Sequence, residues 1–302
     1  MNGNMLRFRR PKPPRRFAKE VDAARRAVAR AIAAGQAPEF PPLWRKEEYK
    51  RAFVAAQHGK CGYCETYALN HPPAIEHYAP KGELEDLAND GMEADGLYGV
   101  RERDARQISA TGYHWLAYEW KNWLLACERC NTGWKRSLFP VRERPHPCPP
   151  TPDQPYTPLL LSPFGVEDPV EHLEFSVLGN VIARHGSEHG EATIRTLGFS
   201  RRESLRKIRH GFAEDATRHA RGLEQALADD KLDRAQIHAE ALISLGGEER
   251  LHAGMVRSIV LSKLGLRWSE MEELAEKIAA KSLPHAKDPS LGTDNRKRGR
   301  KR

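Results

Sequence analysis

The chain has 302 residues, of which 39% are hydrophobic and 30% charged, with a formal net charge of +8. This length allows one large domain or two smaller ones, with an extensively solvated surface. No run of about 18 apolar residues occurs, and the basic N-terminus lacks the apolar stretch of a signal peptide. We therefore expect no membrane span and a cytoplasmic location.

The positive charge is concentrated at the two ends of the chain. Residues 1–30 carry a net charge of +8 and residues 281–302 carry +6, which leaves −6 for residues 31–280. Basic ends favour binding to phosphate backbones, where neutralised phosphates release counterions and make the affinity salt-dependent. A solubilising tail is the alternative interpretation, above all for the C-terminal run.

Two helices are predicted in the N-terminal part of the chain. One runs from Phe17 to about Ala34 and the next from Lys46 to about His58, because apolar residues recur at helical spacing in both. Two consecutive prolines, Pro41 and Pro42, separate the helices.

The middle of the chain is expected to be less regular. Residues 82–112 are polar and show no sustained hydrophobic period, so they are interpreted as an insertion. Such an insertion is tolerated because the entropic cost of closing a loop rises only slowly with its length. The aromatic and apolar residues from Tyr113 to Ala126 predict a helical or turn segment that leads into a short strand ending at Cys127. Nine prolines between Pro140 and Pro163 exclude a regular helix there.

A hairpin and several helices are predicted for the C-terminal part. The segment Glu174–Ile182 resembles a hairpin that turns at Gly179-Asn180. From about Glu191 onward the pattern is helical, with a long helix and a later one marked by periodic apolar residues. His185 and His189 are four residues apart, but the glycines that follow each of them disfavour a helix, so we expect no metal site there.

Four of the five cysteines form two CxxC pairs, Cys61/Cys64 and Cys127/Cys130. In a reducing compartment paired cysteines more often bind metal than form disulfides. A lone CxxC could be a redox pair, but two of them favour one tetrahedral Zn²⁺ site with a structural role, since four thiolates leave no open position. Such a site can contribute on the order of 10 kcal/mol to folding. The fifth cysteine, Cys148, is interpreted as a bystander.

An adjacent acid and histidine, Glu76 and His77, lie between the two CxxC pairs. A neutral imidazole, with an ordinary pKa near ~6.5, can take a proton from water at neutral pH. The carboxylate suits Mg²⁺, which prefers oxygen ligands and can neutralise charge on a scissile phosphate. Alone, this pair is a weak signal with a surface histidine as the alternative, but its place between the cysteine pairs indicates a function.

Taken together and in this order, the motifs resemble the HNH endonuclease superfamily. More narrowly, they resemble the HNH proteins of Septu-type antiphage systems and certain retrons, over roughly residues 41–210. The segments that carry the resemblance are Cys61–Glu65, Ile75–Lys81, Trp115–Cys127 and Cys130–Pro140, followed by Leu159–Pro163, Asp168-Pro169 and Thr193–Gly198.

The resemblance implies roles for individual residues. His77 falls on the family's general base, Glu76 on the metal ligand before it, and Asn122 on the central asparagine that braces the active-site loop. Asn131 takes the third position, which makes an H-N-N variant whose amide oxygen would join Glu76 in binding Mg²⁺ or Mn²⁺. Local turn formation is the alternative for both asparagines.

Three basic residues are the candidate nucleic-acid contacts: Lys81, Lys135 and Arg136. Lys135 is expected to open the helix after the second cysteine pair, where a phosphate contact and a solvated helix residue are equal alternatives. The aromatic cluster from Tyr113 to Trp134 is interpreted as core rather than as a base-stacking surface.

The sequence therefore predicts an α+β protein with a zinc-stapled ββα-metal (HNH) core and mostly helical N- and C-terminal regions. The expected divisions are a basic arm and helix at 1–40, a nuclease core at 41–145, a proline-rich crossover and hairpin at 146–190, a helical region at 191–282 and a basic disordered tail at 283–302.

The predicted activity is metal-dependent hydrolysis of nucleic-acid phosphodiester bonds, with DNA as the expected substrate, in antiphage defence. Two alternatives remain open. One is a zinc-stabilised module that binds nucleic acid or a protein partner without cleavage. The other is a nuclease subunit that is active only with an ATPase partner, which the resemblance to the Septu-type subfamily favours.

Overall fold

The computed structural model describes residues 6–68, 74–87, 105–142 and 157–282, and it has a mixed α+β fold. None of the helices in these ranges combines the length and apolar content needed to cross a bilayer. The helices and strands are α1 (Phe17–Ala33), α2 (Glu47–Ala56), β1 (Ala74–His77), β2 (Leu84–Leu87), β3 (Ala105–Ser109), β4 (Trp123–Ala126), β5 (Leu173–Phe175), β6 (Val181–Ala183), α3 (Glu188–Leu197), α4 (Glu203–Ala228), α5 (Leu232–Leu245), α6 (Ala253–Leu264) and α7 (Trp268–Ser282).

A two-stranded antiparallel sheet of β1 and β4 positions the candidate site. Its register pairs Glu76 with Leu124 and His77 with Trp123. Every residue of β4 is buried, which explains why this strand is a continuous apolar run rather than an alternating one. A short π-helix, Arg129–Lys135, follows β4. β1 and the π-helix contain candidate site residues, and β4 is flanked by two more, Asn122 before it and Cys127 after it.

The N-terminal helices pack an aromatic core against β4. The rings of Phe17 and Trp123 lie 5.4 Å apart, and those of Phe53 and Trp120 lie 4.6 Å apart. Tyr49 is fully buried among them. The two predicted N-terminal helices are confirmed as α1 and α2, and burial of the tryptophans of the Tyr113–Trp134 segment at positions 120, 123 and 134 agrees with its interpretation as core.

The N-terminal arm packs on the same core instead of extending into solvent. Leu6 and Phe8 are buried. The guanidinium of Arg10 donates hydrogen bonds to the carbonyls of Trp120 and Trp123, at 3.1 and 2.9 Å. For Arg10, the interpretation of the N-terminal basic residues as phosphate contacts is therefore wrong, because its donors satisfy buried backbone acceptors.

The segment 82–112, which is interpreted from the sequence as an insertion, contains two strands, and these lie between β1 and β4 in the chain. β2 and β3 pair antiparallel, with Asp86 opposite Arg106. Both of these residues are exposed, whereas Leu84 is buried and Ile108 packs against the same core. Two such apolar residues in two short strands form too short a pattern for the pair to be predicted from a hydrophobic period. The residues that join the two strands, 88–104, lie outside the described ranges.

The C-terminal hairpin is confirmed as β5 and β6, with Gly179 in the turn at a φ of 79°. The long periodic helices are confirmed as α4 and α6. The expectation that Gly190 disfavours a helix is wrong, because α3 begins at Glu188 and contains it. A Cβ at Gly190 would lie 2.3 Å from the carbonyl oxygen of His172, so this glycine permits close packing rather than ending the helix.

Gly198 directly follows α3 and packs against Trp134 of the π-helix. It has a φ of +61°, and a Cβ there would lie 1.9 Å from the Trp134 ring. We expect Gly198→Ala to lower the free energy of unfolding by about 3 kcal/mol, measured by denaturant titration, because backbone strain and overpacking combine.

Gly35→Ala is the matched control for this prediction. Gly35 has a similar φ of +69° but no heavy atom within 4 Å of the added Cβ. It should therefore lose only the backbone contribution of about 1 kcal/mol. Equal losses for the two variants would contradict the contact with Trp134.

Candidate metal centre and active-site cleft

The four cysteines of the two CxxC pairs meet in one cluster. Their Sγ atoms all lie within 4.8 Å of one another, and those of Cys64 and Cys127 are 3.7 Å apart. A tetrahedral zinc ion with Zn–S bonds of about 2.3 Å would separate its sulfur ligands by about 3.8 Å. The donor set and its spacing therefore fit a structural metal ion such as zinc.

Arg202 lies against this cluster. Its Nη1 donates a hydrogen bond to the Cys130 Sγ at 3.1 Å, and the side chain is buried. Four thiolates around one divalent ion carry a net charge of −2, which a buried guanidinium partly offsets. The sequence analysis missed Arg202, because nothing in its local sequence connects it to a cysteine 72 residues away.

We expect purified protein to contain one zinc ion per chain, measured by elemental analysis. Cys61→Ser should lose the ion and unfold at a much lower temperature, because metal binding contributes on the order of 10 kcal/mol to folding in such sites. Cys148→Ser is the matched control and should retain both the zinc and the unfolding temperature. Full retention of zinc and stability by Cys61→Ser would contradict the assignment.

Asn122 holds the loop that follows β1. Its Oδ1 accepts a hydrogen bond from the Ala79 backbone N–H at 2.7 Å. Its Nδ2 donates to the carbonyls of Ala79 and Leu116, at 2.9 and 3.1 Å. The contacts with Ala79 span 43 residues of sequence, so a purely local turn role does not explain this side chain.

His77 has a defined tautomer. Its Nε2 lies 2.9 Å from the carbonyl oxygen of Ala117, and since a carbonyl only accepts, Nε2 carries the proton and Nδ1 keeps its lone pair. Among the described residues, no group hydrogen-bonds Nδ1. The pKa of His77 is lowered to about 3, chiefly by burial and secondarily by the charges of Lys81 and Lys135, while the hydrogen bond to Ala117 opposes the shift. The imidazole is therefore neutral at neutral pH.

Glu76 forms a buried ion pair with Lys135. The Lys135 Nζ lies 2.6 Å from Glu76 Oε1 and donates a hydrogen bond to the His77 carbonyl at 3.1 Å. This buried oxygen makes no hydrogen bond among the described residues, and the Lys135 ammonium beside it is its charge partner. A hard divalent ion bound to this carboxylate would therefore share it with Lys135.

The position of Lys135 corrects the sequence-based expectation. The residue ends the π-helix rather than opening a helix, and it is fully buried, so the solvated-residue alternative is wrong. Its ammonium group contacts a carboxylate rather than the surface where a phosphate would approach. Arg136, the next residue, is exposed and lies 3.5 Å from Glu85.

A cleft of about 500 Å³ brings the candidate residues together. Glu76, His77, Lys81 and Asn131 all line it. The carboxylate and the amide oxygen are donors of the type that Mg²⁺ and Mn²⁺ accept, with water completing the coordination. The residues present therefore fit a divalent ion held by Glu76 and Asn131.

The Glu76–Lys135 pair predicts a compensating pair of substitutions. Glu76→Gln should lower the free energy of unfolding by about 3–5 kcal/mol, because it leaves the buried Lys135 charge without a partner. The double variant Glu76→Gln/Lys135→Met should recover most of that loss. Denaturant unfolding of the four proteins of this cycle measures the coupling, and strictly additive effects would contradict the ion pair.

Comparisons with known proteins give one informative match. No family model and no solved structure matches the chain. It is 31% identical over 188 residues to the Septu protein PtuB of Bacillus mycoides (strain KBAB4), which covers 61% of this chain and 56% of that protein. The chain thus spans just over half the length of this relative. The similarity supports the relationship to Septu-type proteins that the motifs indicate.

Proposed function

We propose that the protein is a metal-dependent HNH-type endonuclease that hydrolyses phosphodiester bonds, with DNA as the expected substrate, and that it acts in antiphage defence. The carrying observation is the tautomer of His77, a neutral imidazole with a free Nδ1 in the cleft that also holds Glu76 and Asn131. The similarity to a Septu protein supports the biological setting.

In this proposal His77 is the general base. Its Nδ1 takes a proton from the attacking water, while the Ala117 carbonyl keeps its hydrogen bond to Nε2 and stabilises the imidazolium that forms. A divalent ion held by Glu76 and Asn131 would supply charge neutralisation at the phosphate when bound. A phosphodiester anion beside Lys81 offsets part of the positive charge that lowers the pKa of His77, and so makes the base stronger in the complex.

Asn122 acts in the proposal as a positioning residue. By clamping both backbone groups of Ala79, it fixes the loop that leaves β1 directly after His77. The Ala117 carbonyl also accepts a hydrogen bond from the Trp123 indole at 3.0 Å. The partner of His77 is thereby tied to the opposite strand, which restricts the orientation of the imidazole.

The proposal predicts that wild-type protein nicks supercoiled plasmid with Mg²⁺ or Mn²⁺ and that His77→Gln does not, with a loss of at least about 100-fold. Glutamine can keep a donor to the Ala117 carbonyl but provides no base. His185→Ala, which removes an exposed histidine that does not line the cleft, is the matched control and should keep full activity. Equal nicking by wild type and His77→Gln would remove His77 from the mechanism.

The two alternatives give different results in the same assay. A binding module without cleavage would retain plasmid DNA in a mobility-shift experiment but release no product with any divalent ion. A subunit that requires an ATPase partner would be inert alone and would become active, in a His77-dependent manner, when that partner and ATP are added.

A further inference from the structure

The residues on one side of the cleft have no role in the proposed hydrolysis. Glu76, His77 and Asn131 belong to β1 and the π-helix, but the facing wall is formed by Trp44, Arg45 and Lys50. These residues come from the turn before α2 and from α2 itself, a part of the chain that none of the sequence motifs covers. We call Arg45 and Lys50 the cationic wall.

The charges of the cationic wall are available to a ligand. Arg45 is exposed, and among the residues that the structure describes no carboxylate forms an ion pair with it. Lys50 lies 3.8 Å from Glu47, its neighbour on the same helix, which is a weak pairing. Lys46, by contrast, lies outside the cleft and is held by Glu20 at 2.7 Å.

The interior of the cleft provides little negative charge to compensate. Glu76 is the only carboxylate among its described lining residues, and Lys135 already neutralises it at 2.6 Å. Lys81 adds a third cation on the same side as His77. The lining of the cleft therefore has a net positive charge, which attracts an anion.

The cationic wall is also fixed relative to His77. The Trp44 ring stands perpendicular to the His77 ring, with centroids 4.7 Å apart, and the Lys81 ammonium lies 4.7 Å from the Trp44 centroid. Arg45 follows Trp44 directly, and Lys50 lies beside Tyr49, which is fully buried. Phosphates bound by the cationic wall would thus have a set distance from the candidate base.

We propose that Arg45 and Lys50 bind the phosphates that flank the scissile phosphate, so that a nucleic-acid strand lies between the cationic wall and His77. The inference rests on the proposed function. It places the main backbone contacts inside the cleft rather than at the two basic ends. Trp44 acts as a positioning residue that holds Lys81 and His77 beside the same nucleic-acid strand.

The test compares two charge-matched double variants in a His77→Gln background, so that the substrate stays intact. Arg45→Gln/Lys50→Gln removes the cationic wall. Lys19→Gln/Arg51→Gln removes the same charge from exposed positions on α1 and α2 that do not line the cleft. Fluorescence anisotropy with a labelled oligonucleotide, single-stranded and then duplex, gives the dissociation constant from 50 to 300 mM NaCl without added divalent ions.

The cationic-wall variant should bind the oligonucleotide at least about fivefold more weakly at the lowest salt concentration. The slope of log Kd against log salt should be smaller by about 1–2, because each lost phosphate contact lowers that slope by about 0.7–0.9. The control should keep both values. Equal changes in the two variants, no change in either, or no oligonucleotide binding by the His77→Gln parent would overturn the inference.

The inference and the proposed function fail separately. Plasmid nicking by the wild type, lost in His77→Gln, together with unchanged binding by the cationic-wall variant, rejects only the role of Arg45 and Lys50. Absence of His77-dependent nicking, both for the protein alone and with an ATPase partner and ATP, rejects the nuclease, whatever the binding result. Thermal unfolding of both double variants is expected to show that they are folded, since Lys19, Arg45 and Arg51 are exposed and Lys50 is only partly buried.

Discussion

The structure depends on the meeting of two CxxC pairs that are 62 residues apart in sequence. One pair lies in the turn after α2 and the other follows β4 directly, so a metal ion between them would fix where β4 ends. The Gly62 N–H also donates to the Leu125 carbonyl at 2.9 Å, which ties the first cysteine loop to that strand. With β4 held, its pairing with β1 sets the register of Glu76 and His77, and a slip of one residue would exchange their faces.

Near the cysteine cluster, buried charged side chains also hold together segments that are distant in sequence. Glu65 accepts hydrogen bonds from the N–H groups of Leu6 and Gly254, both at 3.2 Å, so one carboxylate holds an N-terminal and a C-terminal segment to the first cysteine loop. Burial raises its pKa, although Lys60 and these donors oppose the shift. Such groups are costly to bury, and here they specify which segments meet rather than adding apolar contact.

Much of this architecture could be predicted from local sequence. The helices α1, α2 and α4, the C-terminal hairpin and the strand β4 before Cys127 follow from hydrophobic period and turn residues. The cysteine cluster follows from spacing. β2 and β3 could not be predicted, because each short strand places only isolated apolar residues such as Leu84 and Ile108 on the core, which is too short a pattern to show a period. The burial of Lys135 and the approach of Arg202 to Cys130 depend on contacts between distant segments, which no local pattern contains. The cationic wall was missed for the same reason.

Hydrolysis of a small chromogenic phosphodiester, bis-para-nitrophenyl phosphate, tests the central claim most directly, because it requires the base and the metal site but no recognition of nucleic acid. In the presence of Mn²⁺, the wild-type protein is expected to release para-nitrophenolate, and His77→Gln is expected to release it no faster than buffer. Equal rates for the two proteins, including no release by either, would contradict the assignment of His77 as the base of a phosphodiesterase centre.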